Sequence, residues 1–272
     1  MPVARLIESR LIESGGGALA GASVIVTRPA ASAAPLRRRI RALGGVPIGL
    51  PGSVLRAALD RAAVRAALAA ARDADIAIFV SPAAVKFAFD ARPKLRFSHA
   101  TRVCAVGAAT ARALHRRGIR PVAWPRGRQD SEGLLALPEL QSLRGRRVVL
   151  IGAPGGRELL AQTLRARRAR LARIDVYRRE APRYSGRQLA VLERAPEPWL
   201  LLVSSADALA NLRAALSLHL FARLAAGDIV VSSERLAALA RASLFANVHV
   251  AKGPAPADLL NAASAVLARH RL

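Results

Sequence analysis

From Val24 onward, short runs of β-branched and aliphatic residues alternate with longer Ala/Leu/Arg stretches in which apolar positions recur at helical spacing. The short runs, read as strands, are Val24–Val26, Val46–Leu50, Ile76–Val80, Val103–Val106, Pro121–Trp124, Val148–Ile151, Ile174–Tyr177, Leu200–Val203, Ile229–Val231 and Val248–Val250. Most are continuously apolar rather than alternating, so they are expected to be covered on both faces. That is the signature of an α/β protein with doubly wound parallel sheets. Ten short strands suit two five-stranded sheets. Several intervening helices have readable starts: Ser81-Pro82, Ser131-Glu132, Ser204-Ser205 and Ser233-Glu234 each offer a capping hydroxyl. Helices that begin there point free backbone N–H groups towards the carboxyl ends of the strands.

A repeat at a spacing of about 125 residues supports two domains. Phe79-Val-Ser-Pro-Ala-Ala-Val85 resembles Leu202-Val-Ser-Ser-Ala-Asp-Ala208, and Ala105-Val-Gly-Ala-Ala-Thr-Ala-Arg-Ala-Leu114 resembles Val230-Val-Ser-Ser-Glu-Arg-Leu-Ala-Ala-Leu239. The second copy lies too near the end of the chain to complete its own sheet, so it must borrow Val24–Val26 and Val46–Leu50. The expected organisation is therefore a discontinuous domain of residues 21–48 plus 182–272, with a second domain inserted at 52–177. Pro47, Pro51 and Gly52 mark one crossing and Arg179-Glu-Ala-Pro182 the other. A double linker implies a cleft of variable width, lined by the capped helix starts. Residues 1–20, with Leu6-Ile-Glu-Ser9 repeated as Leu11-Ile-Glu-Ser14 before Gly15-Gly-Gly17, read as a mobile appended extension.

Composition narrows the function classes. A chain of 272 residues with 53% hydrophobic and 22% charged side chains is globular, and its apolar runs fall far short of the roughly 18 residues that suggest a membrane span. The start lacks the apolar segment of a secretory signal, so a cytoplasmic location is expected. Without a heptad or a long apolar edge, a monomer is the default. The single Cys104, flanked by Val103 and Ala105, excludes an intramolecular disulfide and reads as a strand filler. The anomaly is charge: 43 basic against 18 acidic residues give +25. Such a field attracts polyanions, either a small polycarboxylate or nucleic acid. The basic runs Arg37–Arg39, Arg116-Arg117, Arg144–Arg147 and Arg165–Arg173 are scattered, and only 4% of residues are aromatic. That dispersion argues against a nucleic-acid partner and for solvated helix faces or a small anionic ligand.

Familiar catalytic motifs are absent. There is no His-Glu-x-x-His, no paired cysteine motif and no Asp-rich loop, so no metal is expected. Gly152-Ala-Pro-Gly-Gly-Arg157 follows a strand and opens a helix, yet it matches neither the P-loop nor the dinucleotide fingerprint. It reads as a tight turn or as an anion site built from backbone amides. No Gly-x-Ser-x-Gly elbow points to a hydrolase.

Taken in order, the segments resemble the uroporphyrinogen-III synthase family. The similar pieces are Val26-Thr-Arg-Pro29, Leu43-Gly-Gly-Val-Pro47, Ile78-Phe-Val-Ser-Pro-Ala-Ala-Val85, Ala105-Val-Gly-Ala-Ala-Thr110, Asp130-Ser-Glu-Gly-Leu-Leu135, Gly155-Gly-Arg-Glu-Leu-Leu160, Val176-Tyr-Arg-Arg179, Ser232-Ser-Glu-Arg-Leu236 and Ala251-Lys-Gly-Pro-Ala-Pro256. They run from about residue 21 to 268. The resemblance implies two flavodoxin-like domains joined by a two-stranded linker. It implies no cofactor and a lyase of haem and porphyrin biosynthesis. Such an enzyme cyclises the linear tetrapyrrole hydroxymethylbilane to uroporphyrinogen III, losing water and inverting ring D through a spiro intermediate. A transient contact with the enzyme that makes the bilane would follow from the same resemblance. It points to Tyr177 as the acid, since a phenol can donate to a departing hydroxyl without carrying charge at neutral pH; the alternative is that Tyr177 packs its ring. Substrate contacts are expected at Thr27, Arg28, Ser81, Thr110, Ser131, Gly155, Gly156, Arg157, Ser204, Ser205, Ser233 and Arg235, with capping or ordinary exposed charge as the plainer role of each. Arg165-Ala-Arg-Arg-Ala-Arg170 stands where the family has a glycine turn, and residues 1–20 have no counterpart. The competing reading is a non-catalytic two-domain binding protein for a polyanion, either a multi-carboxylate ligand or nucleic acid.

Overall fold

The computed structural model describes residues 17–155 and 158–270, and divides into two compact units. One comprises the chain up to Val54 together with Glu180 onward, and the other is Leu55–Arg179. Residues 1–16 of the expected extension lie outside the described residues. Its last four residues do not behave as an appendage. Leu19 is fully buried against Val24 and Leu36, and its N–H donates to the Leu43 carbonyl at 2.8 Å.

The first unit is built on a five-stranded sheet: β1 (Ser23–Val26), β2 (Val46–Gly49), β9 (Trp199–Val203), β10 (Asp228–Val231) and β11 (Asn247–Val250). Their spatial order is β11-β10-β9-β1-β2, all parallel. Counted in chain order within the unit this is 2-1-3-4-5, the flavodoxin-like winding whose direction reverses between the first and third strands. Period-2 geometry explains the continuously apolar runs. Val24, Val26, Leu200, Leu202 and Val230 face α1 (Ala30–Ala42) and α11 (Pro256–His270), while Ile25, Leu201, Val203, Ile229 and Val231 face the helices on the other side. Those are α7 (Gly186–Glu193), α8 (Ala206–Ala215), α9 (Leu218–Ala226) and α10 (Glu234–Ala242). Each fully buried Leu or Ile in these layers stabilises the fold by roughly 1.5–3 kcal/mol.

The second unit holds β4 (Ile76–Phe79), β5 (Arg102–Ala105), β6 (Arg147–Gly152) and β7 (Arg170–Asp175), ordered β5-β4-β6-β7 and parallel. Here α2 (Arg61–Ala70), α3 (Pro82–Ala91) and α4 (Ala108–Arg116) cover the face of Phe79, Val149 and Ile151; α5 (Ser131–Leu135) and α6 (Glu158–Ala166) cover Ile78, Cys104 and Leu150. Cys104 is a core filler whose thiol burial pushes up to about 12. The chain enters and leaves this unit through β3 (Val54–Ala57) and β8 (Tyr177–Glu180), which pair as a separate two-stranded sheet.

Two strand expectations need correction, and one strand was not expected. Pro121–Trp124 is not a strand: only Ala123 forms a bridge, to Cys104, because Pro121 has no N–H to extend the ladder. Ile174–Tyr177 is not one strand. β7 ends at Asp175, the Val176 N–H bonds to the Gly152 carbonyl at 3.0 Å, and Tyr177 opens β8. β3 went unread because Val-Leu-Arg-Ala is short and only half-buried. Between α6 and β7, Arg168 itself takes the left-handed conformation at φ 61°. No helix among the described residues is long and apolar enough to cross a membrane.

Candidate functional site

In open parallel sheets ligands gather at the carboxyl ends of strands, nearest the point where the winding reverses. In the second unit that point lies between β4 and β6. Ser81 follows β4 in extended conformation and caps α3, its Oγ accepting from the Ala84 N–H at 3.0 Å. The same Oγ lies 3.4 Å from the hydroxyl of Tyr177. Tyr177 is 4% exposed and its ring stacks on Phe87, with centroids 5.4 Å apart and planes 22° from parallel, while the Arg179 guanidinium lies 5.9 Å from the ring centre. Tyr177 packs its ring in the core while its hydroxyl reaches the half-buried rim at Ser81. Ser81 Oγ accepts from the helix with one lone pair, and its proton and second lone pair leave either hydroxyl of the 3.4 Å pair able to be the donor.

The backbone around this pair has little room. A Cβ on Gly152 would stand 2.7 Å from Val80 Cγ2, which ties β6 closely to β4 at the rim. Gly155 makes its turn at φ 68° with open space where a side chain would be. Gly156 and Arg157 lie outside the described residues. Thr110, 1% exposed, sits in the first turn of α4, whose N-cap is Gly107. Gly107 has no side chain to offer, and the Ala108 N–H is met instead by Gln129 Oε1 at 2.9 Å. Ser131 is not a cap. Asp130, one residue earlier, accepts from the Gly133 N–H at 2.9 Å and leaves Ser131 buried at the first helical position. That backbone bond and Arg128 beside it hold the Asp130 carboxyl below its usual range, as a charged acceptor at a helix start should be.

In the first unit the rim of β1, β9 and β10 carries the remaining candidates. Thr27 is turned inward, 3% exposed, and its hydroxyl donates to the Leu202 carbonyl at 2.7 Å, pinning β1 to β9. Arg28 is half-buried and donates to the Pro254 carbonyl, while its Nε is buried without a hydrogen-bond partner. Burial pulls its guanidinium below the usual value. Of the Ser204-Ser205 pair, Ser205 is the N-cap of α8, yet its side chain makes no capping bond, so the expected cap chemistry is missing there. Ser233 does cap, accepting from Leu236 N–H at 3.4 Å, and Arg235 is exposed on the first turn of α10. The segment that leaves this rim is tied down with the help of Asn211 and Tyr184, which carry no sequence signal for that role. Gly52 donates to the Thr27 carbonyl at 2.8 Å and accepts from Asn211 Nδ2 at 2.8 Å, while Tyr184 donates to the Pro51 carbonyl at 3.0 Å. Among the described residues no group of three His, Cys, Asp or Glu could hold a metal ion.

The family model for uroporphyrinogen-III synthase HemD matches residues 34–261. The chain belongs to the uroporphyrinogen-III synthase family. It is 34% identical over 235 residues to the synthase of Salmonella typhimurium, covering 84% of this chain and 94% of that protein. To the synthase of Escherichia coli it is 32% identical over 239 residues, covering the same shares. In fold it is similar to a uroporphyrinogen-III synthetase from Helicobacter pylori, with a TM-score of 0.57 at 12% identity over 91% of this chain and all of that one. A mutant synthase from Thermus thermophilus gives 0.54 at 19% identity, over 92% of this chain and all of that one.

Among the described candidates, the fold brings Ser81 and Tyr177 within 3.4 Å of each other, although 96 residues separate them. Their pairing makes a prediction that separates capping from chemistry. Ser81→Thr keeps the cap and the donor hydroxyl and should turn over like the wild type. Ser81→Asp keeps the cap but accepts the phenol proton, so kcat should fall by about 10²-fold with the melting temperature held. Wild-type turnover in the Asp variant would remove Ser81 from the reaction.

Proposed function

We propose that this chain cyclises hydroxymethylbilane to uroporphyrinogen III, losing water and inverting ring D through a spiro intermediate. The observation that carries the reading is the Ser81–Tyr177 pair at the strand-end rim of a family member. The pyrrole nitrogen of the hydroxymethyl-bearing ring pushes out the hydroxyl as Tyr177 donates to it, leaving an electrophilic azafulvene. The chain's remaining task is to hold the bilane so that the substituted carbon of ring D attacks the azafulvene methylene to give the spiro intermediate. The bond from that carbon to the ring C bridge then breaks and re-forms at the free α-carbon of ring D, which loses its proton. The uninverted closure that occurs spontaneously is thereby excluded. Each pyrrole bears an acetate and a propionate. The partly unpaired Arg28, the exposed Arg235, the Ser205 start of α8 and the Gly155 turn supply cations and N–H donors for them. Thr110 and Ser131 follow strands of the second unit, and Ser204 and Ser233 follow strands of the first, where Thr27 fixes the β1–β9 spacing.

In this reading residues 21–48 plus 182–272 and residues 52–177 are the two domains, no cofactor takes part, and the enzyme works in the cytosol, receiving bilane through transient contact with its producer. Introduced into a bacterial strain whose own synthase is deleted, the gene should restore haem synthesis and growth. Failure with abundant, folded protein would leave a binding protein on this fold.

A further inference from the structure

The fold brings together two arginine runs that the sequence separates. The turn before β6 and the turn before β7 are stitched by two backbone bonds, Gly145 N–H to the Arg168 carbonyl at 3.0 Å and Arg170 N–H to the Arg146 carbonyl at 2.8 Å. Arg147 and Arg170 are ladder partners. Gly145 and Arg168 both hold left-handed conformations, at φ 73° and 61°, so the paired turns form a fixed edge rather than two loose loops. This edge lies at the amino ends of β6 and β7, the opposite end of the sheet from Ser81 and Gly155.

Some arginines here are already used. Arg147 bonds Asp75 and the Asp73 carbonyl, Arg167 donates inward to the Leu135 and Leu140 carbonyls at 2.8 and 2.6 Å, and Arg173 pairs with Glu158 at 3.1 Å. Arg144, Arg146, Arg168 and Arg170 are exposed, and among the described residues none has a carboxylate within ion-pair distance. Four like charges on adjacent turns repel one another, and a polyanion laid across them relieves that repulsion. Two properties define its class. The exposed large apolar side chains all lie elsewhere, so the edge lacks the aromatic or aliphatic anchors that centre a protein interface. It also offers no ring on which a single-stranded base could stack. What remains is recognition of regularly spaced phosphates by guanidinium groups.

We propose that this edge is a sequence-independent docking surface for the phosphate backbone of duplex nucleic acid. Dispersion of the basic runs was the argument against such a partner, and for these two runs it does not hold in space. The test measures binding of the full chain to a labelled mixed-sequence DNA duplex of about two helical turns, by anisotropy, between about 50 and 200 mM salt. The variant Arg144→Gln/Arg146→Gln/Arg168→Asn/Arg170→Gln keeps a residue tolerant of positive φ at position 168. It should lower the slope of log K against log salt by about three to four units, near 0.9 per lost phosphate contact, and equally for a second duplex sequence. A charge-matched control, Arg38→Gln/Arg39→Gln/Arg41→Gln/Arg187→Gln, should lower it by about one unit or less. Should the first variant fail to fold, Arg144→Gln and Arg170→Gln singly should each remove about one unit. Equal losses in both quadruple variants, or no loss, would overturn the proposal. So would poly-L-glutamate binding through the same four residues as tightly as the duplex, which would point to an acidic protein instead.

Discussion

Tyr177→Phe should slow formation of uroporphyrinogen III by about 10²- to 10⁴-fold, the range a positioned general acid contributes. The substitution removes only the oxygen. The ring stays stacked on Phe87 and buried in the second unit, so the thermal unfolding transition should move little. The effect should fall on kcat rather than on KM, because the proton is needed at departure of the hydroxyl and not for holding the carboxylates. A drop in melting temperature that accounts for the lost activity would return Tyr177 to a packing role alone. Undiminished kcat would remove the acid, and Ser81→Asp should then have no effect either.

Gly52→Ala should be among the most destabilising single changes available outside the hydrophobic layers. A Cβ at Gly52 would stand 2.3 Å from Ala208 Cβ and 2.5 Å from its Cα, and a helix backbone cannot yield as a flexible side-chain tip can. The displaced connection would also strain two bonds, from Gly52 N–H to Thr27 and from Asn211 to Gly52. A loss of about 1–3 kcal/mol is expected, several degrees in the melting temperature of the first unit. Gly186→Ala has open space at its Cβ and is the control that should leave stability unchanged. Equal melting temperatures for the two variants would mean that the approach of Gly52 to α8 is not held in solution.

Much of the fold was legible because its strands are buried on both faces, which turns β1, β4, β6, β9 and β10 into continuous apolar runs that no other architecture explains as well. Legibility failed at edges and connections. β7 reads Arg-Leu-Ala-Arg-Ile-Asp, with an exposed, charged side suited to an edge strand, and so its pattern was submerged in the surrounding arginine. β3 lacks the apolar run that marked the buried strands. At the site, residue types were readable but partners were not. A serine before a proline announces a cap at Ser81, yet nothing local announces that Tyr177 meets it across 96 residues. Asp130 was recoverable from the capping rule itself, since a carboxylate three residues before an amide at Gly133 competes well with the following serine. Gln129 and Asn211 act over 21 and 159 residues through side-chain amides, and no spacing rule reaches them.

The central claim is that this chain directs closure of hydroxymethylbilane through ring inversion. Freshly prepared hydroxymethylbilane is mixed with the purified chain, the products are oxidised, and the uroporphyrin isomers are separated. Isomer III should predominate, with its share rising as enzyme is increased against the spontaneous reaction. Isomer I alone, formed at the spontaneous rate in the presence of folded protein, would contradict the account.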